Sequence, residues 1–285
     1  MLSKLALALL AVSQTLAGPL DAYVYKPGDL KNLGIERIPG LAPRTAFNGT
    51  VSLAPRAPSR TFIDFSGKRP GENAVDFLNQ YNFRVSTDTI AAPPITRKFF
   101  TENVYFGQGV LNLRVSAYNG NGVIGSAQIH SRSYSRYGSF RVVSRSSRQG
   151  GVCEGNFFYL NDNQEVDWEM LTSTIDRSSA CVPAGIWATN QATTPGGQKN
   201  SAVVPLPWDP RAGFHEYRVD WTAQATTFYL DGVQKARFTT NVPTAELLFI
   251  TEAWSSGDPC WSNGPPTGDS VTEIRSIDLY QGYVP

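Results

Sequence analysis

Beyond about residue 60, apolar and polar positions alternate in short runs separated by Gly, Asn, Asp and Pro. An alternation of period two marks a half-buried strand. VYFGQGVLNLRVSAYNGNG reads as strands broken by Gly-Gln-Gly and Asn-Gly-Asn-Gly, a hairpin vocabulary, and SYSRYGSFRVVSR as a further strand pair. GNFFYL at 155 to 160, a turn at Asn-Asp-Asn, the acidic run QEVDWEML and IWATNQ at 186 to 191 follow. In HEYRVDWTAQATTFYLDGVQKARFT, Tyr217, Val219 and Trp221 alternate, and Asp231-Gly232 predicts a type I′ turn before a strand ending at Phe238. LLFITEAW and TEIRSIDLYQGY supply the last strands. Only AVDFLNQYNF, residues 74–83, has helical spacing, enough for a turn or two. Many short strands without an internal repeat predict an all-β sandwich.

The beginning of the chain is different. Lys4 precedes an apolar run from Leu5 to Val12 and the small-residue ending Thr15-Leu16-Ala17. That is the layout of a secretory signal peptide, residues 1–17, too short to span a bilayer. Residues 18–60, rich in Pro, Arg, Ala and Gly, predict an irregular arm, and 61–285 a single domain of 41% hydrophobic chain overall. Asn48-Gly-Thr50 is the one N-glycosylation sequon. A secreted, extracellular or cell-wall protein is expected. With 25 Lys and Arg against 24 Asp and Glu, no strong field draws nucleic acid or an anionic membrane, and a monomer is expected.

QEVDWEML carries the chemistry. In an extended segment Glu165, Asp167 and Glu169 share one face while Val166 and Trp168 point into the core. Like charges in a row repel, and Asp and Glu are poor strand formers, so a plain structural role explains the row badly. Cleavage of a glycosidic bond needs two carboxyls flanking it. A third between them hydrogen-bonds one and raises the proton affinity of the other.

Glu165-Val166-Asp167-Trp168-Glu169 resembles the Glu-x-Asp-x-Glu signature of glycoside hydrolase family 16, the laminarinase, lichenase and xyloglucan-transglycosylase group. FTENVYFGQGVLNLRV, SRYGSFRVVSR, GVCEGNFFYLNDNQ, FHEYRVDWTAQATTFYLDGV and EAWSSGDPCWSNGPPTGDSVTEIRSIDLYQGY resemble further blocks in order, over residues 61 to 283. The resemblance implies a β-jelly-roll sandwich of two antiparallel sheets, a sugar cleft across the concave sheet, and retaining hydrolysis of internal β-1,3 or mixed β-1,3/1,4 linkages of β-glucan. By position, Glu165 would be the nucleophile, Asp167 the assisting carboxylate and Glu169 the general acid/base. A transglycosylase would use the same residues, and a non-catalytic glycan-binding module could share the fold. Two positions depart from the family pattern: Arg141-Val142-Val143 after the Tyr-Gly block, where Glu-x-Arg is frequent, and Glu252, where several members have Asn. Both fall on expected substrate contacts.

Around the acids, Trp254 is expected as a stacking platform for a pyranose ring, with Glu252 on the same face. Phe157 and Tyr159 are expected to line the cleft, and Asn190 to reach a sugar hydroxyl. Of three cysteines, Cys153 and Cys181 bracket two predicted strands and are the expected disulfide, leaving Cys260. His130 and His215 stand apart from other ligand-type residues and are expected to be structural. No zinc or P-loop motif is present, and no cofactor is expected, with a structural calcium at the strand ends left open.

Overall fold

The computed structural model describes residues 23–24 and 58–282. The expectations for residues 1–17, for most of the arm and for the Asn48 sequon lie outside the described residues. Among the described residues there are eighteen strands: β1 (Tyr23–Val24), β2 (Ser59–Asp64), β3 (Phe83–Val85), β4 (Thr89–Ile90), β5 (Arg97–Phe99), β6 (Val104–Gly107), β7 (Val110–Val115), β8 (Ile124–Ser131) and β9 (Gly138–Arg145) in the first half. The second half holds β10 (Cys153–Asn161), β11 (Gln164–Leu171), β12 (Ile186–Asn190), β13 (Asn200–Val204), β14 (His215–Trp221), β15 (Thr226–Leu230), β16 (Val233–Phe238), β17 (Leu248–Trp254) and β18 (Ser270–Gln281). The sandwich read from the alternation is thus present.

One sheet has ten strands, ordered β1-β13-β12-β11-β10-β17-β8-β5-β4 with β3 also on β8. The other has eight, ordered β16-β15-β14-β9-β18-β7-β6 with β2 also on β18. Pairing is antiparallel except between β5 and β8. Asp231 and Gly232 both take positive φ, 46° and 74°, between paired Leu230 and Val233, as the predicted turn requires. The predicted helix is α1 (Ala74–Gln80), capped by Asn73, which accepts from the Asp76 amide at 3.1 Å and buries Ala74 and Leu78.

Two hairpin expectations resolve differently. Asn119-Gly-Asn-Gly122 does turn the chain, but it carries it from β7 in one sheet to β8 in the other. SYSRYGSFRVVSR makes one long strand, β9, preceded by an isolated bridge between Ser135 and Leu247.

The core lies between the sheets. Val166, Trp168 and Met170 of β11 point into it against Tyr217, Val219, Trp221 and Phe228. Trp168 and Trp221 are fully buried, and the Trp168 and Phe228 rings stand 5.3 Å apart. Burying large aromatic side chains stabilises each by roughly 1.5–3 kcal/mol, so the row of β11 side chains facing inward anchors the row facing out. His215 Nδ1 donates to Asp231 Oδ2 (2.8 Å), and its ring stacks on that of Trp208 at 3.5 Å. Among the described residues no helix is long and apolar enough to cross a membrane.

Candidate active site

β11 sits near the middle of the ten-stranded sheet, so both its neighbours are fixed by ladder hydrogen bonds and its alternation cannot slip without exposing Trp168. Glu165, Asp167 and Glu169 therefore share the face turned away from the core. Tyr159, Phe157 and Gly155 of β10 lie opposite them in that order, and on the other side Thr189 and Trp187 of β12 lie opposite Asp167 and Glu169. Beyond β10, Ile250, Glu252 and Trp254 of β17 continue the same face. Gly155 stands between Glu169 and Glu252 and leaves a hollow: a Cβ there would meet nothing closer than Phe157 at 3.5 Å and Glu252 at 3.8 Å.

The acids are deeply placed, Glu165 and Asp167 each 2% exposed. Burial pushes the Glu165 carboxyl well above its usual range, reinforced by the Asp167 charge and a hydrogen bond between the two. Burial also raises Asp167, to about 6, although the hydrogen bonds from Glu165 and from Gln191 pull it down. Glu169 is raised to about 8, first by burial and then by the Asp167 charge, against a hydrogen bond from Cys153 and the charge of Lys199. Three buried carboxyls this close cannot all ionise together, and Asp167 is the one most ready to hold the charge. Among the described residues, the buried Glu165 Oε2 has no hydrogen-bond partner, an acceptor left open.

Beside Glu169 the cleft face turns apolar. Cys153, Leu171, Val182, Trp187, Trp254 and Trp261 form a cluster separate from the core, with the Trp187 and Trp261 rings 5.3 Å apart. A disulfide staples this wall, and it is Cys181–Cys260, Cα atoms 5.0 Å apart, which corrects the expected Cys153–Cys181 pair. The reason is directional. Cys153 at the start of β10 points onto the cleft face, where its thiol donates to Glu169 Oε1 at 3.3 Å and stays free and buried. Cys181, on the loop ahead of β12, touches the same cluster but turns to the loop after β17.

Phe157 and Tyr159 lie on the same face as the acids, each 4% exposed and packed with Leu248 and Ile250, the Phe157 and Tyr159 rings 6.2 Å apart. Glu252 lies there too and accepts from the Gln128 amide. Trp254 shares that face, but it is 3% exposed and the Arg97 guanidinium covers its ring at 4.0 Å, so the face expected to stack a sugar is already occupied. Asn190 is the clearest displacement. It pairs with Val166, not with an acid, and so points between the sheets, donating to Thr240 O (3.1 Å) and accepting from Thr226 Oγ1 (2.7 Å). Arg141, too, lies off the cleft, on the outer face of the other sheet beside Asp278 at 3.8 Å.

Two polar neighbours escaped the sequence reading. Gln191, just past β12, donates from Nε2 to Asp167 Oδ2 at 2.9 Å. Lys199, just before β13, is partly buried; burial holds its ammonium below the usual range while Glu169, Asp167 and Glu165 pull it back. Their signal was positional: each extends a strand's cleft-facing alternation by one step. Among the described residues no group of three or more His, Cys, Asp or Glu is arranged to hold a metal ion.

Comparison with known proteins agrees with this layout. Crh-like protein 1 of Aspergillus fumigatus is 27% identical over 163 residues, 51% of this chain and 43% of that protein. A beta-glucanase of Paenibacillus macerans is 26% identical over 149 residues, 52% of this chain and 60% of that one. The matches thus span less than two thirds of these relatives. A lichenase structure from a mouse hindgut metagenome superposes with a TM-score of 0.61 at 14% identity, covering 79% of this chain and all of that one. The apo Crh5 transglycosylase gives 0.56 at 19% identity, covering 86% and 90%. At these identities the superpositions speak for the fold. The sequence model of Glycosyl hydrolases family 16 matches residues 95–260, more than half of the chain and the whole row of acids, and the chain belongs to that family.

Proposed function

We propose that this protein cleaves internal β-1,3 or mixed β-1,3/1,4 bonds of β-glucan with retention of configuration. The observation that carries the reading is the row Glu165, Asp167 and Glu169 on one buried face, with graded proton affinities. In the resting site Glu165 and Asp167 share a proton. As the sugar enters, that proton moves to Asp167, and the Glu165 carboxylate attacks the anomeric carbon through its open oxygen. Glu169, protonated below about pH 8, gives its proton to the departing glycosidic oxygen as the bond to carbon breaks. Glu169, now ionised, takes a proton from the incoming hydroxyl. The new C–O bond displaces Glu165, and the Asp167 proton returns. The scheme draws on nothing beyond these side chains, a sugar and a hydroxyl. Phe157, Tyr159 and Glu252 would meet the chain of sugars.

A transfer reaction is the second reading, favoured by the tryptophan wall beside Glu169. An apolar, stapled wall at the point where the acceptor arrives suits a sugar better than water. Relatives named Crh-like proteins and a fold neighbour described as a transglycosylase fit it as well. We further propose that residues 1–17 are removed on export, that Asn48 carries a glycan, and that the protein acts as a monomer outside the cell, at or near a cell wall. The disulfide supports an oxidising compartment.

The test is incubation with laminarin, lichenan, xyloglucan and chitin oligosaccharides, followed by product sizing. Shorter products alone mean hydrolysis, and products longer than the substrate mean transfer. Binding of glucan with every substrate left intact would overturn the enzyme reading in favour of a glycan-binding module. Glu165→Gln should lose turnover and still bind glucan.

A further inference from the structure

Gln191 touches β11 twice. Its backbone N–H donates to Glu165 O at 3.1 Å, carrying the β11–β12 ladder one residue past the end of β12, and its side-chain Nε2 donates to Asp167 Oδ2 at 2.9 Å. The segment that follows, residues 191 to 199, is pinned from outside. Asn163 Nδ2 donates to Ala192 O (2.7 Å), and Asn241 accepts from the Thr193 amide (3.4 Å) and donates to Gln198 O (2.7 Å). The amide is therefore delivered to one carboxyl oxygen by a backbone anchor and a fixed loop.

We propose that Gln191 is a positioning residue that holds Asp167 as the resident anion of the acid row, ready to take the proton of Glu165. An amide N–H only donates, so it binds the ionised form of Asp167 more strongly than the protonated form. With Oδ2 engaged, the other oxygen of Asp167 is the one left to Glu165. Among the described residues, the charged and titratable groups around Asp167 are Glu165 and Glu169 on β11, Lys199 just before β13 and Glu252 on β17. Beside it, Phe157 on β10 and Thr189 on β12 are its cross-strand neighbours and bring no charge. Of these, Glu165 by its hydrogen bond and Lys199 by its charge also favour the anion; Lys199 acts on all three acids, whereas the Gln191 contact selects Asp167.

The inference rests on reading Asp167 as the assisting carboxylate, and its test does not depend on turnover. In full-length protein carrying [13Cγ]Asp, the Asp167 signal is assigned by its loss in Asp167→Asn and followed against pH. Gln191→Met keeps the side-chain length and removes the donor. It should move the Asp167 titration up by about one pH unit, the size of one hydrogen bond to a charged group, and carry the acidic limb of kcat/KM with it at little change in KM. Gln191→Lys should move the titration the opposite way, a split that a loss of packing would not produce. An Asp167 titration that stays within about 0.2 units in folded Gln191→Met, or that moves the same way in both variants, overturns the proposal. If the titration splits while wild-type protein leaves every glucan intact, the contact stands and the enzyme reading falls.

Discussion

Asn190 and Gln191 are neighbours in sequence and point in opposite directions, one into the core and one onto the acids. Alternation within IWATNQ shows that the two must differ, but not which of them faces the cleft. That depends on the pairing of Asn190 with Val166, a register set by the two strands together. The consequence is measurable. Asn190→Ala should cost about 1–3 kcal/mol in urea unfolding, because Thr226 and Thr240 lose a buried partner, and leave KM for glucan within about twofold. A large rise in KM at unchanged stability would put Asn190 in contact with sugar after all. Trp254 teaches a similar lesson. Its face was legible from its spacing to Glu252, but the cation that covers it, Arg97, comes from a strand on the far side of β8. Glu165, Asp167 and Glu169 were legible because strand period and the family signature agree on them.

At the scale of elements, the strands and the Asp231-Gly232 turn followed from local pattern, whereas partner choice did not. Asn119-Gly-Asn-Gly122 fixes a change of direction, and nothing in four turn residues says that the next strand joins the other sheet. Likewise three cysteines allow three pairings, and proximity alone fails to choose, since Cys153 and Cys181 pack in one cluster without bonding. The Cys181–Cys260 staple closes a separation of 79 residues and ties the loop ahead of β12, the strand of Trp187, to the loop after β17 that carries Trp261. Cys181→Ser with Cys260→Ser should lower stability by about 2–4 kcal/mol in chemical unfolding. If the staple also holds the wall, the variant's tryptophan emission should shift to the red while the protein is still folded. Unchanged emission would mean that apolar packing keeps Trp187 and Trp261 in place without it.

For the molecule as a whole, the buried acids tie function to stability. Glu165, Asp167 and Glu169 bind protons more tightly folded than unfolded, and so does Glu154, buried between the sheets where Thr272 and the Ser147 amide donate to it. A raised folded pKa gives stability that is complete below the unfolded value and is lost as pH rises through the folded one. The urea midpoint should therefore fall between roughly pH 4 and pH 8, the span from the model-peptide carboxylate range to the Glu169 value of about 8. Glu169→Gln, which cannot ionise, should flatten part of that decline. A midpoint that stays level across the range in both proteins would show that the acids are solvated and that the site is more open than its geometry indicates.

Gly155 offers a gauge of depth. A methyl group fits there with ordinary contacts, so Gly155→Ala should leave the melting temperature nearly unmoved. The same methyl raises the floor between Glu169 and Glu252 by about one carbon. An inhibitor or sugar that settles into the hollow will feel it as a rise in Kd, and one that rides above the floor will not. A single added carbon can thus report, for each glycan tried, how closely that ligand approaches the sheet.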